Sequence, residues 1–514
     1  LPINVWIDVE DLFEFAAYNP RPSGIQRMAF EICCAIQQLE GSGGRINFIR
    51  HDQVNFTFVT VSWSSVEALF THLAQGVPLP HTHPARATMS GTQGPHSESA
   101  LRRTARKAAY RMPLELRRRV FTTARLQATA LRALTDLASF TLRGAIRQAT
   151  NLPQRLRQRL NAGSISPRST LPQTVVGGSI NRQFTRDAQP GDIILLLGAP
   201  WSSPSYAQMI EAARAEFGIE FAVLVYDLIP IRRPEWCDRG LVRLFRQWFD
   251  NTLPVSDHIF TISHATKADL VGYLQDSKIS TRATDIKVIP VGTSFGDKTE
   301  PANAPLPAGE TAARPELPEP GTYVLFVSTI EARKNHILLF RVWRRLMETM
   351  PDEQIPTLVF AGRVGWLVAD LMQQLDNTDW LDGKIRLIEA PADQDIAALY
   401  RGCMFTLFPS LYEGWGLPVT ESLANGKPCI ASSSTSMPEA GGKLARYFDP
   451  DSVTDAYRVL RDAIANKEAL AAWQAEVARS FKPVSWTQSA ACILDTLGAT
   501  TSCPTSVRPK VPIV

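Results

Sequence analysis

What most constrains this chain is the recurrence of short, almost wholly apolar runs, each followed by a turn and a helix-like segment. In the first half they read INVWID, INFIRH, VNFTFVTV, DIILLLG, EFAVLVYDL, HIFTIS and IKVIPVG, with a helix from about Ile25 to Leu39 after the first. In the second half they read TYVLFVS, PTLVFAG, KIRLIEA, MFTLFPS and PCIAS. Runs apolar on both faces suit strands covered from both sides, and strands alternating with helices make a parallel sheet. Two such sets in 514 residues predict an α/β protein of two doubly wound domains. The first is expected over 1–298, with an insertion at about 84–174, and the second over 321–485. Between them, residues 299–320 are rich in proline and alanine, as a surface linker would be. A helix is expected over 486–500 and a flexible tail over 501–514.

Seven scattered cysteines, odd in number and without CxxC spacing, argue against a disulfide framework and against a zinc site. No charged-then-apolar leader opens the sequence and no run is long and apolar enough to span a bilayer, so a cytoplasmic protein is expected. The formal charge of +4 is unevenly spread. Residues 101–160 carry fifteen basic side chains against Glu115 and Asp136 alone, which leaves the rest of the chain acidic.

The stretch PSLYEGWGLPVTESLANGKP, from Pro409 to Pro428, carries the most chemistry. TLFPS reads as a buried strand, EGWG as a turn, and Pro418 marks a helix start, where its fixed φ fits and its missing N–H costs nothing. Such a start offers free N–H groups and a partial positive charge to phosphate. Glu413 falls in the turn and Glu421 in the first helical turn, so both carboxylates are expected to face one small volume. Either alone reads as a solvated or capping residue; the pair around Gly414, Gly416 and Pro418 reads as a site.

In an open parallel sheet, ligands bind beyond the carboxyl ends of the strands. After TYVLFVS stand Arg333 and Lys334, cations at a helix start, where they oppose the dipole and call for an anion such as a diphosphate. After PTLVFAG come Arg363, Gly365 and Trp366, and after KIRLIEA comes PADQD, a wall for a nucleobase. In the first half, PSGIQRM places Gly24 at a helix start, VYDLIP places Asp227 after a strand, and ISHATKADL places Ser263, His264 and Lys267 at a strand-to-helix turn. A helix cap is the expected role of Ser263.

FVSTIEARKNH, AGRVGW, LFPSLYEGWGLPVTESLANGKPCIAS and SSTSMPEAGG resemble the C-terminal domain of retaining glycosyltransferases of family 4, mannosyltransferase-like members of the group 1 glycosyltransferases. The resemblance covers about Tyr323 to Pro450, is weaker in the first half and is absent from the insertion. It implies the GT-B fold: two Rossmann-like domains with an interdomain cleft, a nucleotide-sugar-binding C-terminal domain, an acceptor-side N-terminal domain and a last helix that returns to the latter. It implies that Arg333 and Lys334 hold the diphosphate of the donor, Glu421 the ribose hydroxyls, and that Glu413 faces the donor sugar. Amides around Trp415, Gly416 and Leu417 would complete the phosphate cradle, with Arg363 and Gly24 as further donor contacts. Asp227 joins Glu413 as a catalytic candidate, whereas Tyr226 stands where relatives carry His, and the inherited role of that position lapses.

The activity so implied is transfer of a hexose, with mannose from GDP-mannose as the guess, to a glycan or lipid-linked glycan acceptor in polysaccharide biosynthesis. Fixed cations and helix-start amides stabilise the leaving diphosphate, so no cofactor and no metal are expected. The basic segment 101–160 admits an anionic membrane surface, a solvated helical pair or nucleic acid, the last weakened by its few aromatics. The membrane reading makes the protein peripheral at the inner face. Two other functions fit the same fold: a nucleotide-sugar epimerase and a non-catalytic sugar-nucleotide-binding module.

Overall fold

The computed structural model describes residues 3–19, 21–40, 44–52, 56–75, 183–293 and 317–499. The basic insertion, most of the expected linker and the tail lie outside the described residues. The described residues all belong to one compact unit, drawn from Leu1–Leu79 with Val176–Val514. Both sheets belong to it.

The first sheet has seven strands, β1 (Val5–Asp8), β2 (Ile46–Asp52), β3 (Thr57–Val61), β4 (Ile193–Leu196), β5 (Glu220–Val225), β6 (His258–Thr261) and β7 (Ile286–Val288), in the order β3-β2-β1-β4-β5-β6-β7. The second has six, β8 (Tyr323–Val327), β9 (Thr357–Gly362), β10 (Ile385–Glu389), β11 (Thr406–Phe408), β12 (Cys429–Ser432) and β13 (Arg446–Phe448), in the order β10-β9-β8-β11-β12-β13. Starting from its own first strand, each sheet follows the doubly wound order 3-2-1-4-5-6, so the two-Rossmann, GT-B expectation holds. The one departure from parallel pairing is β3, antiparallel to β2. Only residues 53–56 join these two strands, and a parallel crossover needs a dozen or more.

Period-two packing explains the apolar runs. Val5, Ile7, Ile193, Leu195, Ala222 and Leu224 fill the core on one face of the first sheet, while Trp6, Ile194, Leu196, Phe221 and Val223 fill the core on the other. In the second sheet Val324, Phe326, Leu358 and Phe360 face one core, and Tyr323, Leu325, Val359 and Ala361 the opposite one. Each large side chain so removed from water contributes about 1.5–3 kcal/mol, which is why both faces are mostly apolar. The helix Trp486–Thr496, begun by a Ser485/Gln488 capping box, lies against the helix Gly24–Glu40, and its Ala490, Ile493 and Leu494 share a core with β1. Among the described residues, no helix is long and apolar enough to cross a membrane.

Buried at the carboxyl ends of β1 and β2 is a polar network. His51 Nδ1 lies 2.9 Å from Asp8 Oδ2, His51 Nε2 lies 3.0 Å from Ser203 Oγ, and the Tyr206 hydroxyl donates to Asp8 at 2.9 Å. Burial alone would lower the imidazole pKa, but Asp8, by charge and hydrogen bond, together with Glu10 and Glu14, more than offsets this and raises it. Ser203, His51 and Asp8 follow the connectivity of a nucleophile, base and orienting carboxylate. All three are nonetheless no more than 5% exposed, which keeps substrate from the serine. The network ties β1 to β2 and to the helix Tyr206–Phe217.

Candidate donor site at the strand ends

The sequence-predicted residues of the second sheet follow β8 and β11, its two central neighbours. Arg333 and Lys334 lie in a 3-10 turn, Ala332–Lys334, rather than in the following helix, His336–Thr349. Asn335 separates the two, at φ 61°, and its side-chain amide donates to the carbonyls of Pro409 (3.2 Å) and Pro450 (3.0 Å). An asparagine tolerates this left-handed conformation, and here it fastens the cationic turn to the segment after β11. The helix Leu417–Ala424 begins as expected, with Pro418 in its first turn and Gly416 at φ 124° before it.

Glu413 sits between the two cations. Its Oε2 is 2.6 Å from Arg333 Nη1, and its Oε1 is 2.6 Å from Lys334 Nζ. Arg333 also reaches Glu331 at 2.7 Å and the Tyr412 carbonyl at 2.8 Å. The anion that Arg333 and Lys334 call for is thus, in this state, the protein's own carboxylate. Burial would raise the Glu413 pKa, but Arg333 and Lys334 outweigh it and hold it down at about 2. Lys334 shifts the other way from an ordinary ion-pair partner. Burial lowers its pKa and Arg333 repels its proton, and the pull of Glu413 and Glu331 the other way does not make up the difference. The Glu413 backbone is fixed as well, its N–H donating to Thr435 Oγ1 at 3.1 Å and its carbonyl accepting from Ser436 at 3.0 Å.

Residues of the first sheet's carboxyl edge complete the cluster. Asp227, after β5, accepts from the Ile229 N–H at 2.9 Å; burial raises its pKa, while that N–H and the nearby Arg333 lower it. Its neighbour Tyr226 faces the other way, with its hydroxyl on the Leu197 carbonyl at 2.6 Å, so the residue standing in place of histidine is a core residue. The Tyr226 carbonyl abuts Gly414, where any Cβ would lie 2.1 Å from the oxygen. Thr266 spans the same seam, its hydroxyl within reach of the Tyr226 (3.2 Å) and Gly414 (3.3 Å) carbonyls. Trp415 packs against the cores of both sheets, and Leu417 against that of the first, 3.8 Å from where a Cβ on Gly24 would stand. Trp415 Nε1 and the hydroxyl of the fully buried Ser410 have no hydrogen-bond partner.

Glu421 is placed differently from the expectation. It is the fifth residue of its helix, one turn further in, and it accepts from the Tyr400 hydroxyl at 2.7 Å. Its charged neighbours are Arg27 and Asp393, whereas those of Glu413 are Arg333 and Lys334, so the two carboxylates form separate stations rather than one. Burial raises the Glu421 pKa. Arg363 is exposed. Lys267 pairs with Asp285 at 3.1 Å, apart from the cluster, and Ser263 caps its helix by accepting from the Thr266 N–H.

The sequence reading missed the pairings that join the two edges. Glu439 accepts from the His264 N–H (2.7 Å) and the Ala265 N–H (2.8 Å), so a carboxylate from the second half caps a helix of the first. The Tyr412 hydroxyl donates to Asp269, and Trp366 Nε1 donates to the Trp236 carbonyl at 2.9 Å. Arg27 forks onto Asp393, and Arg21 donates to the carbonyls of Ala390 and Pro391, the start of the segment expected to wall the nucleobase. Glu331, two residues before Arg333, was legible as a nearby carboxylate; the cross-edge pairs were not, since no local pattern marks them. Two Asp-x-Asp pairs also stand in the second half. Asp395 of the first caps its own helix at the Ala392 N–H, and Asp449 of the second accepts from the Asp451 N–H. No group of three or more metal-type ligands forms among the described residues.

Comparison with known proteins places this geometry. The chain is 24% identical over 301 residues to the serotype-specific mannosyltransferase WbdA of Escherichia coli, covering 57% of this chain and 35% of that protein. It is 27% identical over 240 residues to the O-antigen chain mannosyltransferase B of the same organism, covering 46% of this chain and 59% of the relative. It therefore spans only about a third of the WbdA relatives it matches. Among solved structures, TarM matches at 12% identity and a TM-score of 0.44, over 60% of this chain and 55% of its own. The Anabaena protein Alr3699/HepE, in complex with UDP and glucose, matches at 17% identity and a TM-score of 0.42, over 60% and 78%. Residues 309–479, which include Arg333, Lys334, Glu413 and Glu421, match the family described as glycosyl transferases group 1. Residues 309–479 of this chain form a group 1 glycosyltransferase domain.

Proposed function

We propose that the chain is a retaining glycosyltransferase that moves a hexose, mannose in the first instance, from a nucleotide diphosphate sugar to a glycan acceptor in polysaccharide assembly. The observation that carries the reading is the buried Arg333–Glu413–Lys334 cluster beside Asp227, where the carboxyl edges of two doubly wound sheets meet. The names of the two Escherichia coli relatives support mannose and, through GDP-mannose, the donor.

In this scheme Arg333 and Lys334 exchange the Glu413 carboxylate for the donor diphosphate, and Glu413, freed from its ion pairs, faces the sugar. As the bond from C1 to the β-phosphate oxygen breaks, the two cations and the N–H groups at the start of the helix Leu417–Ala424 receive the growing negative charge. The acceptor oxygen bonds to C1 from the same side, and its proton passes to the leaving phosphate. Asp227 lines the acceptor side, Glu421 the ribose side, and Arg363, Trp415, Gly416, Leu417 and Gly24 the donor's path. The charge stabilisation is supplied by fixed side chains, and the scheme calls for no metal. A lipid-linked acceptor, and residence at the inner face of a membrane through 101–160, complete the reading.

The test is transfer of labelled sugar from GDP-mannose, UDP-glucose or ADP-glucose to a glycan acceptor, with the anomeric configuration read by NMR. Wild type is expected to transfer with retention, and folded Lys334→Ala and Glu413→Ala to lose turnover. Turnover near wild type in both variants overturns the assignment; release of an epimerised nucleotide sugar without acceptor moves it to the epimerase class.

A further inference from the structure

One short segment of the first half, Arg21 to Arg27, touches the second half at two separate stations. At one end of the donor site, Gly24 lies beside Leu417, at the helix start offered to phosphate. At the other, Arg27 holds Asp393 through Nη1 at 3.2 Å and Nη2 at 3.0 Å, and Arg21 Nη1 reaches the carbonyls of Ala390 and Pro391, each at 3.1 Å. Asp393 opens the helix Asp393–Gly402, which carries Tyr400, and the Tyr400 hydroxyl holds Glu421 at 2.7 Å. Arg27 is itself among the charges that act on Glu421. The two arginines thus grip the loop at 390–393, from which a single helix leads to the carboxylate assigned to the ribose.

From this contact set we infer that Arg21 and Arg27 are positioning residues that clamp the 390–393 loop over the nucleoside half of the bound donor and so set how long donor and nucleotide product stay bound. The inference rests on the proposed function, since it needs a nucleotide at Glu421. The chemistry fits a clamp rather than a permanent strut. Arg27 and Asp393 have side chains 24% and 59% exposed, so water competes for their ion pair, and the Arg21 bonds to bare carbonyls are single and exposed or half-buried. Contacts this wet open and close readily.

The experiment uses the full chain. Binding of GDP, UDP and ADP is measured by calorimetry, donor KM and kcat by transfer assay, and amide exchange is followed over 390–400 with and without the nucleoside diphosphate that binds. Arg27→Ala and Asp393→Asn are each expected to weaken nucleoside diphosphate binding and raise donor KM roughly threefold, and Arg21→Ala with Arg27→Ala roughly tenfold, with kcat within about threefold of wild type. The exchange of R27D/D393R should return KM toward wild type, a rescue that mere loss of packing would not give. Nucleotide should slow exchange at 390–400 in wild type and not in the double variant. If wild type binds a nucleoside diphosphate and the folded variants bind it equally well with unchanged donor KM, the clamp is wrong and the function stands. If wild type binds none of the three and uses none of their sugar conjugates, both fall.

Discussion

A methyl group on Gly414 would stand 2.1 Å from the carbonyl oxygen of Tyr226 and 3.1 Å from Cβ of Asp227. Only glycine lets the segment bearing Glu413 lie against the segment bearing Asp227, so their spacing is set by a missing side chain. Gly414→Ala must separate the two by about an ångström, a displacement of the kind that costs about 100-fold in rate. A loss of that order in kcat, with an unchanged far-UV spectrum, is the expected result, read by transfer assay beside circular dichroism.

Glu413→Gln leaves two buried cations facing an amide, which should cost about 3–5 kcal/mol in stability. The sign with pH is fixed by the depressed pKa. Glu413 stabilises the fold fully above its ordinary 4.5 and stops doing so as pH falls to about 2. Denaturant melts of wild type and variant should therefore differ most above pH 4.5 and converge toward pH 2. The variant should also gain more than wild type from added nucleoside diphosphate, whose phosphates would occupy the cations left unpaired.

His51 gives the opposite pH dependence. Its pKa is raised above 6.5, so its ion pair with Asp8 contributes fully below that value and is lost as pH rises through the folded-state pKa. The stability difference between wild type and His51→Gln should shrink as pH rises above 6.5, followed by urea melts from pH 5.5 to 9.

Burial lowers the Lys334 pKa from its usual 10.5, and the ammonium is the form that meets phosphate. The alkaline limb of kcat/KM should begin below the usual lysine range and shift upward in Lys334→Arg, whose guanidinium does not titrate there. A limb that stays in place in the arginine variant assigns it to another group.

Removing the Glu439 cap exposes the first amides of the helix His264–Asp276, at a cost of about 0.5–2 kcal/mol. In Glu439→Gln, hydrogen exchange should quicken at Ala265 and its neighbours before anywhere else in that helix.

Much of this was legible in the sequence, for physical reasons that differ by residue. Trp6, between Val5 and Ile7, is buried on the opposite face from both, and a parallel strand covered on two sides writes that pattern into its apolar run. Pro418 and Gly416 announced the helix start because their backbone preferences are local. The cations Arg333 and Lys334 were found by the sign of their charge, but the partner that answers them, Glu413, lies about eighty positions on, and its choice of both cations is a tertiary fact. Glu421 was placed in the first helical turn because Pro418 was taken as the helix start, whereas the helix begins at Leu417 and Glu421 is its fifth residue. Arg27 and Glu439 were missed altogether. Each pairs across the seam between the sheets, with partners 366 and 175 positions away, and no periodicity encodes such a distance.

The helix Trp486–Thr496 lends Ile493 and Leu494 to the same core as Val5 and Ile7. Val5 and Ile7 therefore complete their core only with a helix about 480 positions further along, which at about 5–20 residues per second of synthesis is a delay of roughly 25–100 s. During that interval the group 1 glycosyltransferase domain can condense on its own apolar surfaces while the leading sheet keeps one face open. A chain cut before Trp486 would carry the second sheet folded beside a first sheet with an exposed apolar face, a natural client for chaperones and proteases.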